Sequence, residues 1–225
     1  MNIKPSLMAA ATVTIAASTF TAISAEAAVL DFDIKPFTGD PATVNIKLEE
    51  VGNDVEFNFE VTDTFADITG VFFDFNNILN LNSNDLSVSG KNVTGDLKTN
   101  TKDLGNGVNL TGGGRSNPGS FDFGVKIGTN GIGGDDIQST SFTLSHSTQA
   151  LTLDMFEEQK FGVRLQSVGS NPTDRGGSSK LAGISPIKVI RPSNSKPVGV
   201  PEPSTLLGLG LFAVGLAGTR RIVKT

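Results

Sequence analysis

The chain has 225 residues with 18% charged side chains and a net charge of −5, enough for one ordinary domain plus signals. It has no Cys, no Trp, no Tyr and a single His, which excludes disulfide frameworks, thiolate metal sites and multi-His metal sites. The acidic balance also excludes a strongly basic nucleic-acid binder, and 26 Gly point to a fold rich in turns.

The N-terminus carries Lys4, then a stretch from Leu7 to Ala25 with no charged side chain, then Ala25-Glu26-Ala27. A cationic start, an apolar run and small residues at the first and third positions of an A-x-A site make a signal peptide. Residues 1–27 are therefore predicted to be removed by signal peptidase after Ala27, with Ala25 and Ala27 filling its narrow pockets.

The region 28–190 shows strand periodicity. Val44, Ile46 and Leu48, then Val55, Phe57, Phe59 and Val61, alternate with polar residues around Gly52-Asn53, predicting a hairpin over 43–62. Ile68–Phe75 is more continuously apolar and reads as a central strand. Further strands are expected at Leu86–Val88, Val108–Leu110, Phe121–Ile127, Ser141–Leu144, Leu151–Leu153, Phe161–Val168 and Pro186–Ile190. A short helical turn is expected near Asp154–Gln159. Many short strands separated by Gly, Asn, Asp and Ser predict an all-β, antiparallel two-sheet sandwich, jelly-roll-like. Phe57, Phe59, Phe73, Phe123, Phe142 and Phe161 are the expected core.

Candidate chemistry in this region is thin. His146 is the one imidazole that a Ser–His–acid triad could use, but no Gly-x-Ser-x-Gly elbow accompanies it. A glycosidase carboxylate pair is possible among many acids, without the Trp or Tyr platforms usual for sugars. Asn76–Asp85 and Asn130–Asp136 offer oxygen ligands for calcium, with Asp135 and Asp136 the candidates, although neither run matches an EF-hand loop. Gly112-Gly113-Gly114-Arg115 lacks the phosphate-loop pattern and reads as a hairpin loop; Asp174–Ser179 also reads as a loop. Asn92-Val93-Thr94 and Asn109-Leu110-Thr111 match the N-x-[ST] sequon.

Residues 191–199 have no period and read as an extended linker. Pro201-Glu202-Pro203 follows, then an uncharged stretch of 16 residues from Ser204 to Thr219, then Arg220, Arg221 and Lys224. As a helix that stretch is about 24 Å long, shorter than the ~30 Å hydrocarbon core, so it is a transient or marginal single-pass anchor. Arg220 and Arg221 act as the membrane stop. The prolines fix φ and remove N–H donors, which leaves an extended peptide that a protease cleft can accept, with Glu202 as a charge to recognise.

In sequence and order, residues 200–225 resemble the PEP-CTERM sorting signal. The resemblance implies an exosortase substrate: a secreted bacterial protein whose tail is processed by a membrane-embedded transpeptidase or protease. More weakly, Gly70–Asp74, Phe161–Gly169 and Gly177–Leu181 are similar to ectodomains that accompany this tail in cyanobacteria. Without Lys4, Glu26 and the three tail cations, the exported part carries 14 cations and 22 anions, net −8, and should stay soluble. The expectation is an exported surface or extracellular-matrix protein that is not an enzyme and needs no cofactor. Its partners are signal peptidase, exosortase, the membrane before processing, and exopolysaccharide. A calcium-assisted carbohydrate-binding module and a secreted hydrolase are the alternatives.

Overall fold

A computed structural model describes residues 29–76, 83–130 and 134–187. These residues form an all-β, antiparallel fold of ten strands: β1 Val29–Gly39, β2 Val44–Val51, β3 Asp54–Val61, β4 Phe65–Phe73, β5 Leu86–Ser89, β6 Lys98–Thr101, β7 Phe121–Lys126, β8 Ser139–His146, β9 Lys160–Gly169 and β10 Gly177–Ile184. The strands make one continuous ladder in the order β5-β8-β3-β2-β1-β10-β9-β4-β7-β6.

β1 is the corner of that ladder. Its first half, Val29–Ile34, pairs with β2, and its second half, Lys35–Gly39, pairs with β10. The register shifts between Pro36 and Thr38, the irregularity expected where one strand turns from one layer to the next. β3 and β4 stand five places apart in the order, which on a flat sheet is about 24 Å. Yet the Phe57 and Phe73 ring centroids are 5.0 Å apart, and Phe32 of β1 meets Phe161 of β9 at 5.1 Å. The sheet therefore folds over, and its two arms, β5-β8-β3-β2 and β10-β9-β4-β7-β6, face each other across a phenylalanine seam.

The six phenylalanines expected inside are all buried, and Phe72, Phe75, Phe121 and Phe156 join them. Phe156 comes from a short 3-10 turn, Leu153–Phe156, where the sequence predicts a helical turn. Its ring stands edge-on to Phe57 at 5.2 Å and Phe75 at 5.0 Å, plugging one end of the seam. The 43–62 hairpin forms as expected, with Val51 opposite Asp54. Gly52 at φ 68 supplies the positive dihedral that a two-residue type II′ loop needs at its first position.

Three expected strands differ. Val108–Leu110 lies in a loop, joined to Asp103 by an isolated bridge at Asn109. Leu151–Leu153 runs into the 3-10 turn. Pro186 and Ile187 follow β10 outside any strand, and residues 188–190 lie outside the described residues. Conversely, β1, β6 and β10 are not among the expected strands. β6, Lys-Thr-Asn-Thr, is an exposed edge with no apolar alternation; hydrogen bonding to β7, not burial, makes it a strand.

The arms differ on their outer faces. On the β9-β4-β7 arm, Gly162, Gly70 and Gly124 leave a trough. A Cβ at Gly70 would stand 2.4 Å from Val108, one at Gly162 2.4 Å from Leu110, and one at Gly124 2.9 Å from Leu104. The loop 102–119 fills that trough, so that Leu104, Val108, Leu110, Phe72 and Phe121 form a second apolar cluster with Phe37 packed against it. Phe57→Ala, at the centre of the first cluster, should lower the unfolding free energy by about 3–5 kcal/mol in urea titrations, while Val51→Ala at the exposed hairpin tip should change it by less than about 0.5 kcal/mol.

Candidate functional site

The outer face shared by β2, β3, β8 and the first half of β1 is polar. Strand alternation that sends Val44, Ile46 and Leu48 inward sends Asn45, Lys47 and Glu49 outward, and the same holds for Glu56, Asn58 and Glu60 of β3. Antiparallel register then sets these residues in rows: Asp33, Asn45, Glu60 and Ser139; Asp31, Lys47, Asn58 and Ser141; Glu49, Glu56 and Thr143. Lys91 and Asn92 complete a shallow groove of about 550 Å³ over this grid.

Two of the rows mix donors with acceptors, while the third sets Glu49 opposite Glu56. The Asn45 side-chain amide donates to Asp31 Oδ1 at 2.8 Å and Asp33 Oδ1 at 3.0 Å. Lys47 forms an ion pair with Glu49, and this contact holds the Lys47 ammonium above its ordinary range, with Asp31 and Glu56 adding to the effect. Neighbouring strands lie about 4.8 Å apart, so each row repeats a polar group at that spacing. In the sequence, Asn45, Lys47, Glu56, Asn58 and Glu60 are the polar residues that alternate with the apolar ones of the 43–62 hairpin. The signal for them was present in the 43–62 alternation, but one strand pair does not say which polar stripes share an uncovered face.

The residues singled out from the sequence are engaged elsewhere. His146 is buried at the end of β8, and its Nδ1 accepts hydrogen bonds from the backbone N–H of Thr148 at 3.2 Å and of Gln149 at 3.1 Å. It caps a turn. Asp135 accepts from Thr129 N–H and Oγ1. Asp136 pairs with the buried Arg175 at 2.6 Å, whose Nε donates to Ser167 O at 2.9 Å. The two candidate calcium ligands thus serve different partners, and among the described residues no group of three or more His, Cys, Asp or Glu side chains is placed to hold a metal.

Gly113 of the Gly112–Arg115 run has φ 77, and a Cβ there would stand 2.6 Å from the Phe37 ring. Asn117 pins the same loop by donating to Leu110 O and Gly112 O. Asn109 of the second sequon is engaged as well, accepting from Thr111 and Lys180.

One carboxyl is pushed upward. Burial raises Asp122, with Asp74 adding to the effect, while the N–H of Phe75 and the Lys160 ammonium oppose it. Asp122 Oδ2 accepts from Phe75 N–H and its own N–H donates to Asp74 Oδ1, both at 3.0 Å. Lys160 pairs with Asp74 at 3.0 Å. This reciprocal clamp ties the end of β4 to the start of β7.

Ala25, Ala27, Pro201, Glu202, Pro203, Arg220 and Arg221 lie outside the described residues. Among the described residues no helix is long and apolar enough to cross a membrane. A family model described as the PEP-CTERM protein-sorting motif matches residues 199–222, a span that contains Pro201-Glu202-Pro203, Arg220 and Arg221. The chain thus carries the sorting motif, which implies an exported, cell-surface-associated protein processed by an exosortase. No curated protein matches the chain, and neither does any solved structure.

The Asp136–Arg175 pair has a pH signature. The guanidinium hydrogen bond holds Asp136 below the usual carboxylate range against the opposing effect of desolvation. Such a group contributes stability above its unfolded pKa, ~3.9, and loses it as pH falls through the lower folded value. Asp136→Asn should therefore flatten the loss of stability below about pH 4, read as Tm against pH.

Proposed function

We propose that this chain is an exosortase-sorted surface or extracellular-matrix protein whose β domain is a non-enzymatic scaffold that associates with exopolysaccharide. The observation that carries the reading is the sorting motif at residues 199–222. With a cleavable leader at 1–27, the domain between the two signals works outside the cell. The apolar stretch after Pro203 holds the precursor at the membrane, Arg220 and Arg221 stop its passage, and the exosortase acts at Pro201-Glu202-Pro203.

The polar grid is the surface proposed to meet polysaccharide. Carboxylates accept from sugar hydroxyls, and Asn and Lys donate to ring and hydroxyl oxygens. Such a face recognises a glycan through hydrogen bonds without an aromatic platform. The exported segment is net −8, so a polyanion would be repelled over the whole surface, and a neutral polysaccharide fits best. Calcium assistance gains nothing from Asp135 and Asp136, which are held by Thr129 and Arg175.

Two outcomes are expected. With Pro201-Glu202-Pro203 replaced by alanines, the native host should accumulate a longer, membrane-fraction precursor, whereas ordinary maturation would refute the sorting reading. In affinity electrophoresis through gels containing a neutral polysaccharide, the protein should be retarded. Glu56→Ala with Asn58→Ala should weaken retardation by about tenfold, the loss of roughly 1.4 kcal/mol, and leave Tm unchanged. Equal mobility with and without polysaccharide would remove the grid from the account.

A further inference from the structure

We propose that Lys180 and Asn109 join in an intramolecular isopeptide bond that staples the 102–119 loop to β10. The two residues are 71 positions apart in the chain, and Lys180 Nζ stands 3.0 Å from Asn109 Oδ1. The carbonyl carbon is one C=O bond, about 1.23 Å, from that oxygen. Nζ therefore lies within about 4.2 Å of Cγ, and a small side-chain rotation brings it to the attack distance of about 3–3.5 Å.

The surroundings suit amide exchange. Asn109 Oδ1 also accepts from Thr111, through the backbone N–H at 3.2 Å and through Oγ1. These donors are aimed at the oxygen on which negative charge develops when an amine adds to the carbonyl. Val108 and Leu110, on either side of the half-buried Asn109, are fully buried in the second apolar cluster, which fixes the backbone that carries the Asn109 carboxamide. Lys180 also donates to Thr111 O, so its amine is held against this loop. Burial first, and then the neighbouring Arg164 charge, lower the Lys180 ammonium from its ordinary pKa, raising the share of free amine. Asp103 is bridged through its backbone to Asn109; its carboxylate accepts from Gly105 N–H at 2.8 Å and only partly offsets that lowering.

The step balances without an oxidant or co-reactant. The Nζ–Cγ bond forms and the Cγ–Nδ2 bond breaks. An ammonium and a carboxamide become a secondary amide and an ammonium ion, the departing nitrogen taking the protons that Lys180 gives up. A cysteine-free chain cannot staple an extracellular loop with a disulfide; this bond would serve the same purpose. The proposal does not depend on what the polar grid binds.

Intact mass under denaturing conditions, with both termini of the purified protein defined by peptide mapping, tests it. The expected mass is lower than the sequence requires by one ammonia, and digestion should release a branched peptide joining the Asn109 and Lys180 segments. Lys180→Arg, which keeps the charge, should restore the full mass. A protein of full mass with a linear Lys180 peptide would overturn the proposal. So would an ammonia loss that persists in Lys180→Arg, because cyclisation of another asparagine would then be its source.

Discussion

Phe57 touches five other rings, those of Phe59, Phe73, Phe142, Phe156 and Phe161, at centroid distances from 4.9 to 6.4 Å. The fold depends on this convergence. A ladder of ten strands has no intrinsic reason to fold over, and an extended sheet of that width would leave an apolar face in water. Closing the arms buries that face, each phenylalanine contributing about 1.5–3 kcal/mol with a further ~0.5–1.5 kcal/mol from well-placed ring pairs. The chain reaches the closed form through β1, whose halves serve different neighbours around Pro36. A proline has no N–H to donate, so it suits the point where pairing changes over.

Closing the arms also determines which surface is left for function. The far arm has given up its outer face: glycines at 70, 124 and 162 make a trough, and the 102–119 loop covers it with apolar side chains. Arg164 and Lys180 then hold that loop by donating to Gly107 O, Asn109 Oδ1 and Thr111 O. The near arm keeps its outer face polar, with charges and amides in register across β1, β2, β3 and β8. This asymmetry gives an exported domain one sealed side and one side rich in hydrogen-bonding groups. Two edge strands of four residues each, β5 and β6, give other chains little to pair with, which suits a protein displayed at a crowded surface.

The sequence makes the all-β class legible because alternation is strong where one face of a strand is buried, as in Val44–Leu48 and Val55–Val61. It also shows the phenylalanine core, since those rings have nowhere else to go in a chain without Trp or Tyr. It hides β6 and β10, where small and polar residues form strands because a neighbour's backbone requires them. It misplaces Val108–Leu110 for the complementary reason: the apolar alternation is real, but it packs into a glycine trough instead of joining the ladder. The sorting tail is legible as a local pattern of proline, apolar run and cations. The polar grid is not, because its members become neighbours only when register places four strands side by side. His146, Asp135 and Asp136 look reactive by residue type, and their hydrogen bonds show turn-capping, loop-holding and ion-pairing roles.

The central claim is that both chain ends are signals and that the β domain between them acts outside the cell. Fractionation of the native host, followed by intact-mass measurement of the recovered protein, tests it most directly. The account predicts an extracellular or envelope-associated species lacking residues 1–27 and shortened or modified at the Pro201-Glu202-Pro203 segment. Recovery of the complete 225-residue translation product from the cytosol would contradict it.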